Sequence, residues 1–287
     1  MKRVGFIIKP RQPEARQLVD QLVPWLVSRD ITPVFLDEER VGSPNSKIVP
    51  ESAFASEIDM CVVLGGDGTM LRASSLVADE SIPVLGVNLG RLGFLTPFDP
   101  SEAQTVLERA LDGRLDKAER MRLQVEFHPV DGEMVTVGAL NDAVIHQGAM
   151  ARLIELSARL EDVLIASYRA DGLIVATPTG STAYNLAAGG PIISPMHEAM
   201  AITPICAHSL TNRPLVVADN QTISITLGEE SQGVVLTVDG RWAHTFESGD
   251  RLAITTSAQP LIIYESDQTF FDILREKLHW GARSDRH

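Results

Sequence analysis

The sequence predicts two parts: an open α/β domain, then an antiparallel β-rich, sandwich-like domain, with a final helix packing back on the first domain. Three observations carry that expectation. Up to about residue 115, short apolar runs alternate with segments of helical spacing, the grammar of βαβ units. From 116 to 268 strand-like runs follow one another, separated by turn residues. From 269 to 287 helical spacing returns before a polar end. At 287 residues the chain also exceeds the usual size of one domain, so two cores are expected.

Taken in order, Val4 to Ile8 reads as a strand, and Leu18, Val19, Leu22 and Leu26 share one face of a helix. Pro33 to Leu36 and Ile58 to Leu64 are strands. The second is almost wholly apolar, as in a strand covered on both faces. A strand over Pro83 to Val87 precedes a helix from about Ser101 to Leu111, which Asp99 or Ser101 caps and Gly113 stops. Beyond this, Leu123 to Phe127, Val135 to Ile145 and Leu153 to Leu160 read as consecutive antiparallel strands, with Asp131-Gly132 a turn between the first two. Thr222 to Leu227, Val234 to Val238, Leu252 to Thr256 and Leu261 to Tyr264 continue the β-rich part. Thr269 to Trp280 is a helix with Phe270, Phe271, Leu274 and Leu278 on its apolar side, and Gly281 to His287 is a frayed tail.

A formal charge of −13 repels nucleic acid and anionic membrane surfaces, so neither is expected as a partner, and any phosphate must be held by a local site. No segment approaches the ~20 apolar residues of a membrane helix, and the run Val4 to Ile8 is too short for a signal peptide. The two cysteines, Cys61 and Cys206, lie in separate apolar runs and read as buried thiols, without metal-ligand spacing. Together these features point to the cytoplasm.

Two glycine-rich turns stand apart, and neither is a GxxxxGK[ST] or a GxGxxG motif. In the first, Val63-Leu64-Gly65-Gly66-Asp67-Gly68-Thr69, the glycines allow close approach of a ligand, and a helix beginning near Thr69 points its positive end at phosphate. Gly65, Gly66, Gly68 and Thr69 are the phosphate-binding candidates. Asp67 then stands as a carboxylate beside bound phosphate, or alternatively as the N-cap of a tight strand-to-helix turn. The second turn, Thr177-Pro178-Thr179-Gly180-Ser181-Thr182-Ala183-Tyr184-Asn185-Leu186-Ala187-Ala188-Gly189-Gly190-Pro191, follows an apolar strand. Ser181 or Thr182 can cap its short helix, and Ala183, Ala187 and Ala188 leave room for a flat ligand on which Tyr184 can stack.

Together these turns resemble the NAD kinase family. The similarity extends through Asn88-Leu89-Gly90-Arg91-Leu92-Gly93-Phe94-Leu95, Asn141-Asp142 and Val238-Asp239-Gly240-Arg241, and so spans the chain in order. Departures are small: Asp142 stands where many members have Glu, and Arg241 where Gln is common. The resemblance implies transfer of the γ-phosphoryl group of ATP to the adenosine ribose 2'-hydroxyl of NAD, with a divalent cation such as Mg²⁺. It implies Asp67 as catalytic proton acceptor. It further implies NAD contacts from Asp67, Gly68, Arg72, Asn141, Asp142, Arg152, Arg169, Asp171, Thr182, Ala183, Tyr184, Asn185, Leu186, Ala187 and Arg241. Members are commonly homodimers or homotetramers, and the β-rich part is the expected interface. Diacylglycerol kinases and 6-phosphofructokinases carry turns similar to the first, and a non-catalytic NAD(H) sensor would keep the pocket without needing Asp67.

Overall fold

The computed structural model describes residues 2–39, 45–148, 153–209 and 211–279. It divides into two compact units, Met1–Glu119 with Gln259–His287, and Arg120–Ala258. Arg152, the predicted last helical residue Trp280 and the predicted tail from Gly281 to His287 lie outside the described residues.

In the first unit, β1 (Arg3–Ile8), β2 (Thr32–Leu36), β3 (Lys47–Val49), β4 (Met60–Gly65), β5 (Val84–Asn88) and β6 (Lys117–Arg120) alternate with α1 (Pro13–Val27), α2 (Glu51–Phe54), α3 (Asp67–Val77) and α4 (Ala103–Leu111). One face of the sheet packs Phe6, Met60, Val62 and Leu64 against Leu18, Leu22 and Leu26 of α1 and Val106 and Leu107 of α4. The periodicity of α1 buries the four residues expected, together with Ala15 and Val23. Asp99 caps as expected, through a reciprocal bond pair with Glu102, and a single 3₁₀ turn (Pro100–Glu102) precedes α4.

The second unit is a sandwich of two antiparallel sheets. One contains β7 (Leu123–His128), β8 (Val135–Ala139), β10 (Ile154–Leu160), β11 (Val163–Ala170), β15 (Ile223–Leu227) and β18 (Arg251–Thr256). The other contains β9 (Asp142–Gln147), β12 (Gly172–Ala176), β13 (Ala199–Ile205), β14 (Leu215–Ala218), β16 (Val234–Val238) and β17 (Trp242–Phe246). Leu123, Val125, Phe127, Leu156 and Ile254 from the first meet Ile145, Val175, Ile202 and Leu236 from the second in one core. The outer face of the second sheet, with Val144, Ile174 and Ala201, is covered by Ile193 from the segment that carries α5 (Tyr184–Ala187).

Three strand and helix expectations, and one on a thiol, need correction. The run 135–145 is not one strand: it breaks at Leu140 and Asn141, and β8 and β9 belong to different sheets. The last strand, β19 (Leu261–Tyr264), lies outside the sandwich and instead lies parallel to β5 in the first sheet, giving the order β3-β2-β1-β4-β5-β19-β6. Its apolar run fits either core, and only pairing tells them apart. In the final helix, α6 (Phe270–Leu278), the buried side is Ile273 and Leu274, while Phe271 and Leu278 are exposed. Cys206 is exposed as well, because β13 ends at Ile205 and the chain turns through a positive φ at Cys206; Cys61 is buried.

Candidate active site

In the first unit, β4 is buried along its whole length and pairs in parallel with β5, Gly65 opposite Asn88. The turns leaving their carboxyl ends therefore stand side by side. On its other edge β4 pairs with β1, beyond which lie β2 and β3, so chain order along the sheet reverses between β1 and β4. Open α/β sheets bind ligands outside the carboxyl ends of strands at such a reversal. Gly66 and Gly68 face open space, whereas a Cβ on Gly65 would collide with the Thr69 side chain. At the start of α3 the Thr69 and Met70 amides donate to the Gly66 carbonyl at 2.9 and 3.1 Å, which leaves the amides of Asp67 and Gly68 as the open donors of the helix N-terminus, so the predicted phosphate-binding turn combines approachable backbone with a helix N-terminus.

Asp67 is the first residue of α3, two residues earlier than the sequence suggested, and Gly66 occupies the N-cap without any side-chain cap. The N-cap reading of Asp67 is thereby overturned. Its carboxylate turns toward the loop after β5 instead: Oδ2 accepts the Phe94 amide at 3.1 Å, and Oδ1 the Leu95 amide at 3.0 Å. Lys277 of α6 donates to Oδ2 at 2.7 Å, with its ammonium 4.4 Å from the centre of the Phe94 ring. Gly93 must lack a side chain, because a Cβ there would run into Asp67 Oδ1 and Thr96 Oγ1. Asn88 is buried and shapes the loop, accepting the Gly90 amide at 2.8 Å and donating to the Arg91 carbonyl.

Arg72, one helical turn beyond Asp67, pairs with Glu39 at 3.3 Å and lies 3.9 Å from Glu51. Glu39 also accepts the Ile8 amide; burial raises its carboxyl to about 7 against that opposing bond. Elsewhere in this unit a cavity of about 440 Å³ is lined by Asn88, Asp99, Glu102, Arg109, Asp267 and Glu276 among others. With four carboxylates to one guanidinium it is a poor place for a polyphosphate.

In the second unit the break at Leu140 and Asn141 is held from two sides. The Asp239 carboxylate accepts the amides of Leu140 at 2.7 Å, Asn141 at 2.8 Å and Asp142 at 3.1 Å. Thr177 donates its hydroxyl to the Leu140 carbonyl at 2.6 Å and its amide to the Asn141 carbonyl at 2.8 Å. Gly180 sits so close that a Cβ would strike the Asn141 carbonyl. The Asn141-Asp142 pair and the Thr177–Ala187 turn are thus bonded into one assembly, and among the described residues the side chains of Asn141 and Asp142 take no part in these bonds. Asp142 is 6% exposed, and among the described residues nothing donates to its carboxylate. Burial, and then the neighbouring Asp239, raise it to about 7. Burial likewise raises Asp239, opposed by its three amides and by the Arg122 guanidinium.

The short helix α5 is not capped by Ser181 or Thr182 as expected. The buried Ser181 hydroxyl bonds Pro178 and Ile193, and Thr182 donates back to the Thr179 carbonyl at 3.2 Å. Asn185 is fully buried, donating to Ser181 and Pro191 and accepting from Thr203 at 2.6 Å, so its side chain shapes the turn. Tyr184 and Ala187 are exposed, and Thr182, Ala183 and Leu186 half-buried. Arg169 and Arg241 are exposed and Asp171 half-buried. Arg241 follows a hairpin turn through Asp239 and Gly240, both of positive φ. In the sequence this Asp-Gly pair carries the signal of a hairpin, whereas the three-amide clamp of Asp239 on residues 140–142 has no local signal. Lys277, Glu39 and Arg122 had no sequence signal either.

Residues 4–115 match the family model of the ATP-NAD kinase N-terminal domain and 140–266 that of the C-terminal domain. An NAD kinase of Syntrophobacter fumaroxidans is 42% identical over 286 residues, covering 98% of this chain and 99% of its own; one of Geotalea daltonii is 39% identical over 284, covering 99% and 100%. The chain belongs to the NAD kinase family. A crystal structure of a yeast NADH kinase complexed with NADH, 29% identical, superposes with a TM-score of 0.90 over 100% of this chain and 89% of that one. An NAD kinase from Archaeoglobus fulgidus in complex with ATP, 24% identical, shares the fold with a TM-score of 0.79 over 97% of this chain and 100% of its own. Of the residues described above, Asp67 and Arg72 fall within the first matched stretch and Asp142 and Asp239 within the second, whereas Lys277 lies beyond both.

Proposed function

We propose that the chain phosphorylates NAD, moving the γ-phosphoryl group of ATP to the adenosine ribose 2'-hydroxyl to give NADP and ADP, with Asp67 taking the hydroxyl proton. Family membership supports the reaction, as does the yeast relative crystallised with NADH. The observation that carries the assignment to Asp67 is its carboxylate, fixed at the tip of a buried strand by two backbone amides and a lysine beside an open glycine turn. As the hydroxyl oxygen bonds the γ-phosphorus, the bond to the β-phosphate oxygen breaks and the proton passes to the carboxylate. A loose transition state asks chiefly for alignment and charge neutralisation, which the α3 N-terminus and the glycine amides supply from the protein.

No group of three or more His, Cys, Asp or Glu side chains among the described residues is arranged to hold an ion. Mg²⁺ needs none, since it keeps several waters and binds through phosphates and one or two carboxylates. It is best written as part of the substrate, a metal–ATP complex. Asn141, Asp142 and the Thr182–Ala187 wall are assigned to the dinucleotide, Asp142 through its unpaired buried carboxylate. Arg169, Asp171 and Arg241 are assigned to its periphery. The two unpaired thiols fit a reducing compartment such as the cytoplasm. The exposed apolar residues Val163 and Leu164 on β11 and Leu215 and Val216 on β14, both edge strands, support assembly of copies through the second unit.

NADP formation from NAD, ATP and Mg²⁺ is the direct test, with Asp67→Asn as the decisive variant. Loss of the proton acceptor lowers kcat about 10²- to 10⁴-fold while the KM for NAD stays within a few-fold. An asparagine also turns an NH₂ toward a backbone amide or the Lys277 ammonium, so the melting temperature falls slightly. Near-normal kcat in this variant removes Asp67 from the chemistry.

A further inference from the structure

Lys277 stands 210 residues from Asp67 in sequence, outside both stretches that match the family models, yet its ammonium is 2.7 Å from Asp67 Oδ2. The contact is built rather than incidental. Helix α6 is fixed at its start by a reciprocal bond pair between Thr269 and Asp272 and is seated by buried Ile273 and Leu274. Phe270 packs 6.0 Å from the Phe94 ring, centre to centre, and the ammonium of Lys277 lies over that same ring. Phe94 in turn gives its amide to the oxygen that Lys277 holds.

A carboxylate oxygen has two acceptor positions. Oδ2 has both filled, by the Phe94 amide and by Lys277, whereas among the described residues Oδ1 accepts the Leu95 amide alone. We propose that Lys277 is a positioning residue for phosphoryl transfer: by saturating Oδ2 it makes Oδ1 the proton-accepting oxygen and holds the carboxylate plane toward the hydroxyl. The ammonium also stays beside the carboxylate as the proton arrives. This rests on the reading of Asp67 as proton acceptor. The aliphatic stem and the cation over Phe94 are separable parts of the contact, which makes the role testable.

The test measures kcat, KM for NAD and melting temperature for Lys277→Met, Lys277→Arg, Asp67→Asn and the double variant Asp67→Asn/Lys277→Met. Methionine keeps an apolar stem on Phe94 and removes the charge. The expected result is a 10- to 100-fold fall in kcat for Lys277→Met at a KM within about three-fold of wild type, with Lys277→Arg recovering most of it. The second substitution adds less than two-fold to the loss in Asp67→Asn, because residues acting through one group are not additive. Lys277→Met with kcat within two-fold of wild type, or a full extra loss in the Asp67→Asn background, overturns the positioning role while leaving Asp67 as acceptor. Should Lys277→Met fold poorly, Lys277→Leu takes its place in every comparison, since it too keeps an apolar stem near Phe94 and removes the charge. If Asp67→Asn itself keeps normal kcat, the reading beneath fails, and the proposal with it.

Discussion

At the scale of single residues, the second unit's informative group is Asp142. Its carboxyl titrates near 7 in the folded protein because it is buried beside Asp239, with Arg122 bearing on Asp239 rather than on it. In the unfolded chain it returns to about 3.9. Well below pH 4 it is protonated in both states; between about pH 4 and pH 7 the unfolded chain releases the proton while the native protein keeps it, so stability is lost progressively over that window, and above it the native protein carries the full cost of a buried anion. Asp142→Asn removes this burden. Its stability relative to wild type is expected to rise by roughly 2 to 4 kcal/mol between pH 5 and pH 8, while its NAD affinity falls by about 1 to 3 kcal/mol through a lost acceptor. Melting curves at the two pH values and calorimetric titration read the two effects separately. A relative melting temperature that does not change with pH argues that water reaches the carboxylate freely. Unchanged affinity takes Asp142 out of the site.

Among the elements, the turn after β12 shows why small residues recur where a strand hands over to a binding segment. Thr177, Gly180, Ser181 and Asn185 are spent on holding the turn to Leu140, Asn141, Ile193 and Thr203. Thr182, Ala183, Leu186 and Ala187, partly or fully exposed, are left as the surface on which a ligand can lie. Because Ala187 is exposed at the end of α5, Ala187→Leu is expected to melt like wild type, within the ±0.5 kcal/mol usual for surface changes. If the wall lies against NAD, the same change raises KM for NAD by ten-fold or more, since added bulk in a fitted contact is costly. A normal KM with normal melting places the ligand elsewhere. Asp67 illustrates the opposite case. The GGDG spacing announced a functional turn, but whether its carboxylate caps α3 or reaches across to another loop depends on β5 standing beside β4, and the partner amides of Phe94 and Leu95 are supplied only by that pairing.

On the scale of the whole molecule, each unit has its own core, and the exposed apolar edges lie on the second. If copies associate there, light scattering at micromolar concentration gives a multiple of 31.2 kDa, and Leu164→Glu or Val216→Glu lowers it. A monomeric wild type, or assemblies indifferent to both changes, overturns that interface. By itself the sequence determined the order of most strands and helices, the two cores, the glycine turns and the family, because periodicity, turn chemistry and motif spacing are properties of neighbouring residues. What only the tertiary structure decided are the pairings between distant residues. β19 joins the first sheet although its apolar run suits either core, the run 135–145 divides between two sheets, and Asp239 clamps a turn 99 residues away. Lys277 reaches Asp67 across 210 residues for the same reason: a charged side chain on a short helix carries no local mark of its partner, and only the packing of α6 on Phe94 brings the two charges together.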